Sequence, residues 1–133
     1  MRATRRWVPP TSGFSSQLGS WQPVPPDIQP GDWVHASLDN GQTSAVRLGT
    51  IDGVLDIDDD TVSGTINAPW FDQPLNADCG VWVENGVGTS FVVDPQGGTY
   101  SCDFGELGWD LVPGQQVGVE YQEPDGDWVV NVF

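Results

Sequence analysis

Apolar and polar residues alternate with a period of two along most of the second half of the chain. Polar residues such as Thr65, Glu84 and Glu120 fall on the face opposite the apolar set. This alternation is typical of antiparallel sheets with one buried and one solvated face. The residues predicted to point inward are Val62, Gly64, Ile66, Cys79, Val81, Val83, Tyr100, Cys102, Phe104, Val117, Val119, Tyr121, Trp128, Val130 and Val132.

Turn-forming residues separate the alternating segments. Asp125-Gly126, between two such segments, is a strong hairpin signal. From residue 48 onward the sequence predicts seven strands, near 48–57, 61–67, 79–84, 89–93, 98–104, 116–122 and 127–133. Seven short strands with regular turns predict an all-β fold without long helices, specifically an immunoglobulin-like antiparallel β-sandwich. A small β-barrel is the alternative.

One phrase occurs twice: "DIQPGDWV" at 27–34 and "DLVPGQQV" at 110–117 share Asp, Pro, Gly and Val at matching places. Each copy is followed by a strand, a turn and a strand, which in the first copy span 33–38 and 43–50. The repetition predicts a Pro/Ser/Gly-rich segment at 1–26, an N-terminal hairpin at 27–51 from a partial preceding repeat, and a complete module at 52–133. Alternatively, the duplicated hairpin packs within a single sandwich, which would place residues 33–51 in the same core.

The motifs between residues 52 and 133 resemble a known group of modules. Asp60 to Thr65, Asp94 to Phe104, Asp110 to Val117 and Asp125 to Asp127 are similar to motifs of immunoglobulin-like repeats in large secreted bacterial proteins. The resemblance implies a non-catalytic extracellular module that serves as a spacer or adhesion unit. Its expected partners are neighbouring modules of the same chain.

The charge balance excludes several classes of partner. The formal net charge is −15, with no Lys and four Arg, three of which lie in the first six residues. Such an acidic surface repels phosphate, so we expect no binding to nucleic acid or anionic membranes. No apolar run is long enough for membrane insertion. The start "MRATRRWVPP" lacks the apolar region of a signal peptide, so a secreted form of this chain would be a fragment or a processed piece.

The two cysteines, Cys79 and Cys102, both fall on the predicted inward face. We expect a disulfide, which fits a secreted protein in an oxidising compartment; two buried thiols are the alternative. His35 is the only His, which excludes a zinc site and leaves a nucleophile without a nearby base. The sequence therefore predicts no enzymatic activity, and a small hydrolase is the least favoured function.

A run of acidic residues lies at the predicted junction between the half module and the complete one. It comprises Asp52, Asp56, Asp58, Asp59 and Asp60. Calcium takes six to eight oxygen ligands, so the run is a candidate calcium site that would stiffen an array of modules. It lacks the EF-hand pattern, and a solvated acidic linker is the alternative. No other cofactor is expected.

Seven Trp exceed what a core of this size requires. Trp33 and Trp82 alternate outward, and Trp70 and Phe71 stand in a segment bounded by two prolines. Exposed rings of this kind stack on sugars or fill protein interfaces. The alternative function is therefore a carbohydrate-binding module for an extracellular polysaccharide. Alternatively, the neighbouring half module or the N-terminal segment covers these rings.

Overall fold

The computed structural model describes residues 27–133, which form nine β-strands and no helix. The all-β prediction is confirmed, and every predicted strand is present, with shifted ends. The predicted Pro/Ser/Gly-rich segment at 1–26 lies outside the described residues. The strands are β1 (Trp33–Ser37), β2 (Thr43–Arg47), β3 (Thr50–Asp56), β4 (Thr61–Asn67), β5 (Leu75–Val81), β6 (Gly88–Val93), β7 (Gln96–Asp103), β8 (Val117–Gln122) and β9 (Trp128–Val132).

The nine strands form three antiparallel sheets. β1 and β2 form a two-stranded sheet, β3, β4 and β7 form a second sheet in the order β3-β4-β7, and the remaining strands form a third in the order β6-β5-β8-β9. The seven strands from residue 50 onward thus belong to two separate sheets and do not close into one barrel. The second and third sheets enclose the core as a β-sandwich.

The core lies between these two sheets. The side chains that alternate inward on β4, β7 and β8 are almost completely buried, as the pattern predicts. Tyr121, Phe104 and Ile66 are the largest of the fully buried side chains. The structure also buries Leu75 and Ala77, because β5 starts at Leu75 and not near residue 79.

The strand predicted near 79–84 ends earlier than expected. Val83 was predicted to point inward, but it is 39% exposed, whereas Val81 is 5% exposed. The chain leaves the sheet after Val81 and turns, with the Gly86 N–H donating to the Val83 carbonyl. Val83 therefore belongs to the turn before β6, where the alternation of β5 no longer applies.

The prediction for β9 is wrong by one residue. Trp128, Val130 and Val132 were expected to face the core, yet Val129 is the buried residue of this strand. The β8–β9 turn places Val129 opposite Tyr121, which points inward, and Trp128 opposite Gln122. Because side chains alternate along a strand, a shift of one residue moves the whole set to the other face.

The predicted disulfide is present. Cys79 lies on β5 and Cys102 on β7, and their Sγ atoms are 2.09 Å apart. The two strands belong to opposite sheets, so the bond crosses the core. Both cysteines are buried, which is consistent with their inward alternation.

The repeated phrase forms the same turn in both copies. In each, the carbonyl of the residue before Pro accepts the N–H of the residue after Gly, at 3.1 Å in the first copy and 3.2 Å in the second. Gly31 and Gly114 have φ angles of 92° and 91°. A Pro-Gly pair with this hydrogen bond and a positive φ at Gly is a type II turn, which requires Gly at its third position.

The hairpin turns that follow also match. The N–H of Leu38 donates to the carbonyl of Gln42 at 2.8 Å, and the N–H of Glu123 donates to the carbonyl of Asp127 at 2.8 Å. Within each turn the Gly N–H returns to the first residue's carbonyl at 2.9 Å. The β1–β2 and β8–β9 hairpins are therefore built alike, although only β8 pairs with a further strand, β5.

The β1–β2 hairpin also contacts the sandwich. Val46 is 4% exposed and belongs to the core cluster. The N–H of Gly49 donates to the Tyr121 hydroxyl oxygen at 2.9 Å. The hairpin thus forms its own sheet, and its contacts with the sandwich include one buried apolar side chain and the segment that leads into β3, which begins at Thr50.

Replacing both cysteines (Cys79→Ala with Cys102→Ala) should lower the free energy of unfolding by about 3 kcal/mol, because the bond closes a loop between residues 23 apart. Urea unfolding of the variant and the parent measures the difference. Two free thiols found by mass spectrometry in unfolded, non-reduced protein would contradict the disulfide.

Candidate functional site

The acidic run that was the candidate calcium site forms the tight turn between β3 and β4. The Asp56 carboxylate accepts the backbone N–H groups of Asp58 and Asp59, at 3.0 and 3.2 Å. The Asp60 carboxylate accepts the N–H of Leu111 at 2.7 Å and so anchors the segment before β8. The structure does not gather the five carboxylates of Asp52 to Asp60 at one point, and two of them are already committed to backbone donors.

A different acidic group converges at the β8–β9 turn. Within residues 27–133, Glu123, Asp125 and Asp127 form the group whose ligand atoms lie close enough to hold a metal ion, with one oxygen from each within 4.8 Å of the others. Asp125 is exposed and Asp127 half-buried, but Glu123 is only 6% exposed. We call these three residues the turn carboxylates.

Each of the turn carboxylates has a distinct environment. Asp125 accepts the N–H of Asp127 at 3.2 Å, and Asp127 accepts the hydroxyl of Ser44 at 2.9 Å. The buried Oε1 of Glu123 accepts no hydrogen bond from any residue in the described part of the chain. Asp125 and Asp127 therefore each accept a hydrogen bond, whereas one buried oxygen of Glu123 has no donor in the described part of the chain.

Electrostatics at the turn disfavour the ionised form of Glu123. Burial, followed by the negative charges of Asp125 and Asp127, raises the pKa of its carboxyl group from 4.5 to about 7. Tyr121 lies nearby, and burial raises the pKa of its hydroxyl to about 12, with a further contribution from Glu123. Near neutral pH, a cation or a proton at Glu123 would relieve the same repulsion.

From the sequence we predict only a hairpin turn at Asp125-Gly126, and this prediction does not include the cluster. A sequence signal does exist, because acidic residues stand at positions 123, 125 and 127 of the predicted hairpin turn. Side chains two residues apart in such a turn can come close to one another. The burial of Glu123 has no such signal, because Glu is almost always exposed.

Three of the four predicted ligand-binding aromatic residues lie near one another. Trp33, which is 57% exposed, stands opposite Arg47 in the β1–β2 sheet. The Arg47 guanidinium lies 4.2 Å from the ring centroid of Trp70, and Trp70 is 6.2 Å from Phe71. Arg47 thus stands opposite Trp33 in the strand register and contacts Trp70 with its side chain, and Trp70 and Phe71 pack partly against the core.

Trp82 does not join this group. Phe71 precedes β5 and Trp82 follows it, so they lie at opposite ends of a strand that spans roughly 20 Å. Trp82 lies flat over Gly118 of β8, where a Cβ atom would come within 2.3 Å of the indole. The four rings therefore do not form one platform.

The outer face of the β6-β5-β8-β9 sheet carries a shallow groove. It is lined by Asn76, Asp78, Ser90, Val92, Gln122 and Trp128, with Ala77 and Phe91 from the same strands. The Ser90 hydroxyl donates to the Asp78 carboxylate. The half-buried ring of Trp128 lies at one side, a position that follows from the register of β9. The groove combines the ring of Trp128 with amides and a carboxylate, while Phe91 also packs against the core.

Comparisons with protein-family models, curated proteins and solved structures give no match to this chain. The resemblance to immunoglobulin-like repeats therefore rests on the sequence motifs alone. Residues 27–133 contain no helix that is both long and apolar enough to cross a membrane.

Without added metal ions, the stability of the protein should fall as the pH rises from 5 to 8. Glu123 has a raised pKa in the folded state, so its protonation contributes fully to the free energy of unfolding below pH 4.5. This contribution is lost as the pH rises through about 7. The loss should be on the order of 2 to 3 kcal/mol. Glu123→Gln, which stays neutral, should flatten this part of the profile in urea unfolding with a chelator present; equal slopes in both proteins would contradict the assignment.

Proposed function

We propose that this chain is a non-catalytic, extracellular, immunoglobulin-like module that serves as a spacer or adhesion unit in a repetitive secreted bacterial protein. The observation that carries the proposal is the matched pair of hairpins. β1–β2 and β8–β9 share the Pro-Gly turn and the hairpin-turn hydrogen bonds, but only β8–β9 is part of the sandwich sheet. This is expected if β1–β2 is the end of a preceding copy.

Two further features support this assignment. A disulfide that crosses the core is typical of proteins that fold in an oxidising compartment. The sheet order β3-β4-β7 against β6-β5-β8-β9 also supports an immunoglobulin-like arrangement. The disulfide, however, joins β5 and β7, the third and fifth strands of the sandwich, and so differs from the antibody pairing of the second and sixth strands.

The surroundings of the single His support a non-catalytic role. His35 is exposed on β1, and its ring stacks on Trp33 with 6.2 Å between centroids. It therefore lies on the hairpin that we assign to the preceding copy and away from the sandwich core. The proposed partners are neighbouring modules of the same chain.

Because β3 begins at Thr50, we extend the proposed complete module from 52–133 to 50–133. A chain that starts at Leu48 should then still fold cooperatively. It should lose about 2 kcal/mol from the burial of Val46, because Gly49 and its bond to the Tyr121 hydroxyl are retained. Circular dichroism and urea unfolding measure this.

The matched control removes the other hairpin, residues 116–133. This truncation should abolish folding, because Val117, Val119 and Tyr121 are completely buried. If the chain that starts at Leu48 also fails to fold, the two hairpins belong to one indivisible domain and the module boundary is wrong.

A carbohydrate-binding module is the second candidate function. The groove beside Trp128 supports it, since an aromatic ring flanked by amides and a carboxylate is a common arrangement for sugar recognition. A glycan array on the purified protein tests it. Binding that is lost in Trp128→Ala but kept in Trp33→Ala would favour this groove. Binding that is lost in Trp33→Ala but kept in Trp128→Ala would favour the group around Arg47. An absence of glycan binding in the parent protein would favour the spacer function.

A further inference from the structure

We propose that the turn carboxylates, Glu123, Asp125 and Asp127, bind a divalent cation, with calcium as the best match. The site lies at the tip of the β8–β9 hairpin. It is separate from the Asp52 to Asp60 run, and it adjoins the groove beside Trp128.

The spacing of the oxygens fits calcium. Calcium–oxygen distances are about 2.4 Å, so two ligands on opposite sides of one ion are about 4.8 Å apart. One oxygen from each of the three residues falls within that limit of the others. Magnesium demands near-ideal octahedral geometry at about 2.1 Å and gives up its water ligands reluctantly, so calcium is the better match for three protein carboxylates.

The burial of Glu123 is an independent observation that points to a ligand. Its side chain is 6% exposed, and its buried Oε1 receives no hydrogen bond from residues 27–133. Leaving a buried carboxylate oxygen unsatisfied is costly. A cation coordinated at this oxygen would satisfy it and would offset the repulsion from Asp125 and Asp127.

The first hairpin shows that the turn does not need acidic residues. Leu38, Asn40 and Gln42 occupy the positions of Glu123, Asp125 and Asp127 in a turn with the same backbone hydrogen bonds. Asn40 accepts the N–H of Gln42 at 3.0 Å, as Asp125 accepts that of Asp127. The two turns thus share their backbone hydrogen bonds and differ in charge. Because the first turn forms without acidic residues, the turn conformation does not require them in the second.

No cationic side chain in the described part of the chain is available to neutralise the turn. Residues 27–133 contain 19 acidic residues, one Arg and no Lys, a formal balance of 1 − 19 = −18. That Arg, Arg47, stacks on Trp70, and its Nε donates to the Gly31 carbonyl. Residues 27–133 therefore supply no cationic side chain as a charge partner for Glu123, and a solvent cation can take that role.

Calcium binding would also affect how the two hairpins are held together. The Ser44 hydroxyl on β2 donates to the Asp127 carboxylate, so one ligand residue touches the first hairpin directly. An ion that fixes Asp127 would fix this contact. The site would then couple calcium to the rigidity of the junction between the proposed copies.

The test is calcium binding by the full chain at pH 8. Terbium luminescence sensitised through Trp128, followed by displacement with calcium, reports binding next to Asp127. We expect a dissociation constant of about 0.1 to 1 mM, as in extracellular calcium modules. At ten times that concentration the melting temperature should rise by about 5 °C. Magnesium and sodium at matched ionic strength control for screening.

Two triple variants with the same loss of charge identify the site. Glu123→Leu with Asp125→Asn and Asp127→Gln gives the second turn the residues of the first and should abolish both signals. Asp52→Asn with Asp58→Asn and Asp59→Asn should leave both unchanged. If the first variant does not fold, Asp125→Asn alone should weaken calcium binding at least tenfold.

Three results would overturn the proposal. The first is the absence of any calcium-specific signal in the parent protein. The second is a signal that survives in the turn variant, or in Asp125→Asn if that single variant has to be used. The third is loss of the signal in the variant of the acidic run.

Discussion

The covalent bond between Cys79 and Cys102 is the constraint on which the sandwich depends. The backbones of the two sheets that enclose the core are separately hydrogen-bonded. Packing, the Asn131 side chain, which donates to the Ile51 carbonyl, and this one covalent bond hold them face to face. Small all-β domains have modest cores, and a bond across the core removes much of the freedom of the unfolded chain. Fixing β5 over β7 also fixes β8, the neighbour of β5, and hence the turn that carries Glu123.

The sequence predicted the elements well because their signals are local. Alternation located the strands and the cysteine pair, and the Pro-Gly and Asp-Gly turns located the hairpins. The error in β9 arose where a distant contact decides. The inward face of β9 follows from its pairing with β8, which places Val129 opposite Tyr121, and this pairing has no trace in the pattern of β9 itself.

The candidate sites were harder to predict for the same reason. The dense acidic run predicts calcium at Asp52 to Asp60, but within residues 27–133 no three carboxylates of this run converge closely enough to hold a metal ion. The three turn carboxylates form a sparser pattern in sequence and converge only once the hairpin forms. What distinguishes them, the burial of Glu123, is a property of the folded protein.

The central claim is that residues 50–133 form one cooperative module and that the β1–β2 hairpin is the end of another. Native-state amide hydrogen exchange measured by NMR tests it most directly. Amides of β4, β5, β7 and β8 should exchange only through global unfolding, with a common free energy that falls when the disulfide is reduced. Amides of β1 and β2 should open locally at a clearly lower free energy that reduction does not change. Equal protection of the hairpin and the sandwich, falling together on reduction, would contradict the account.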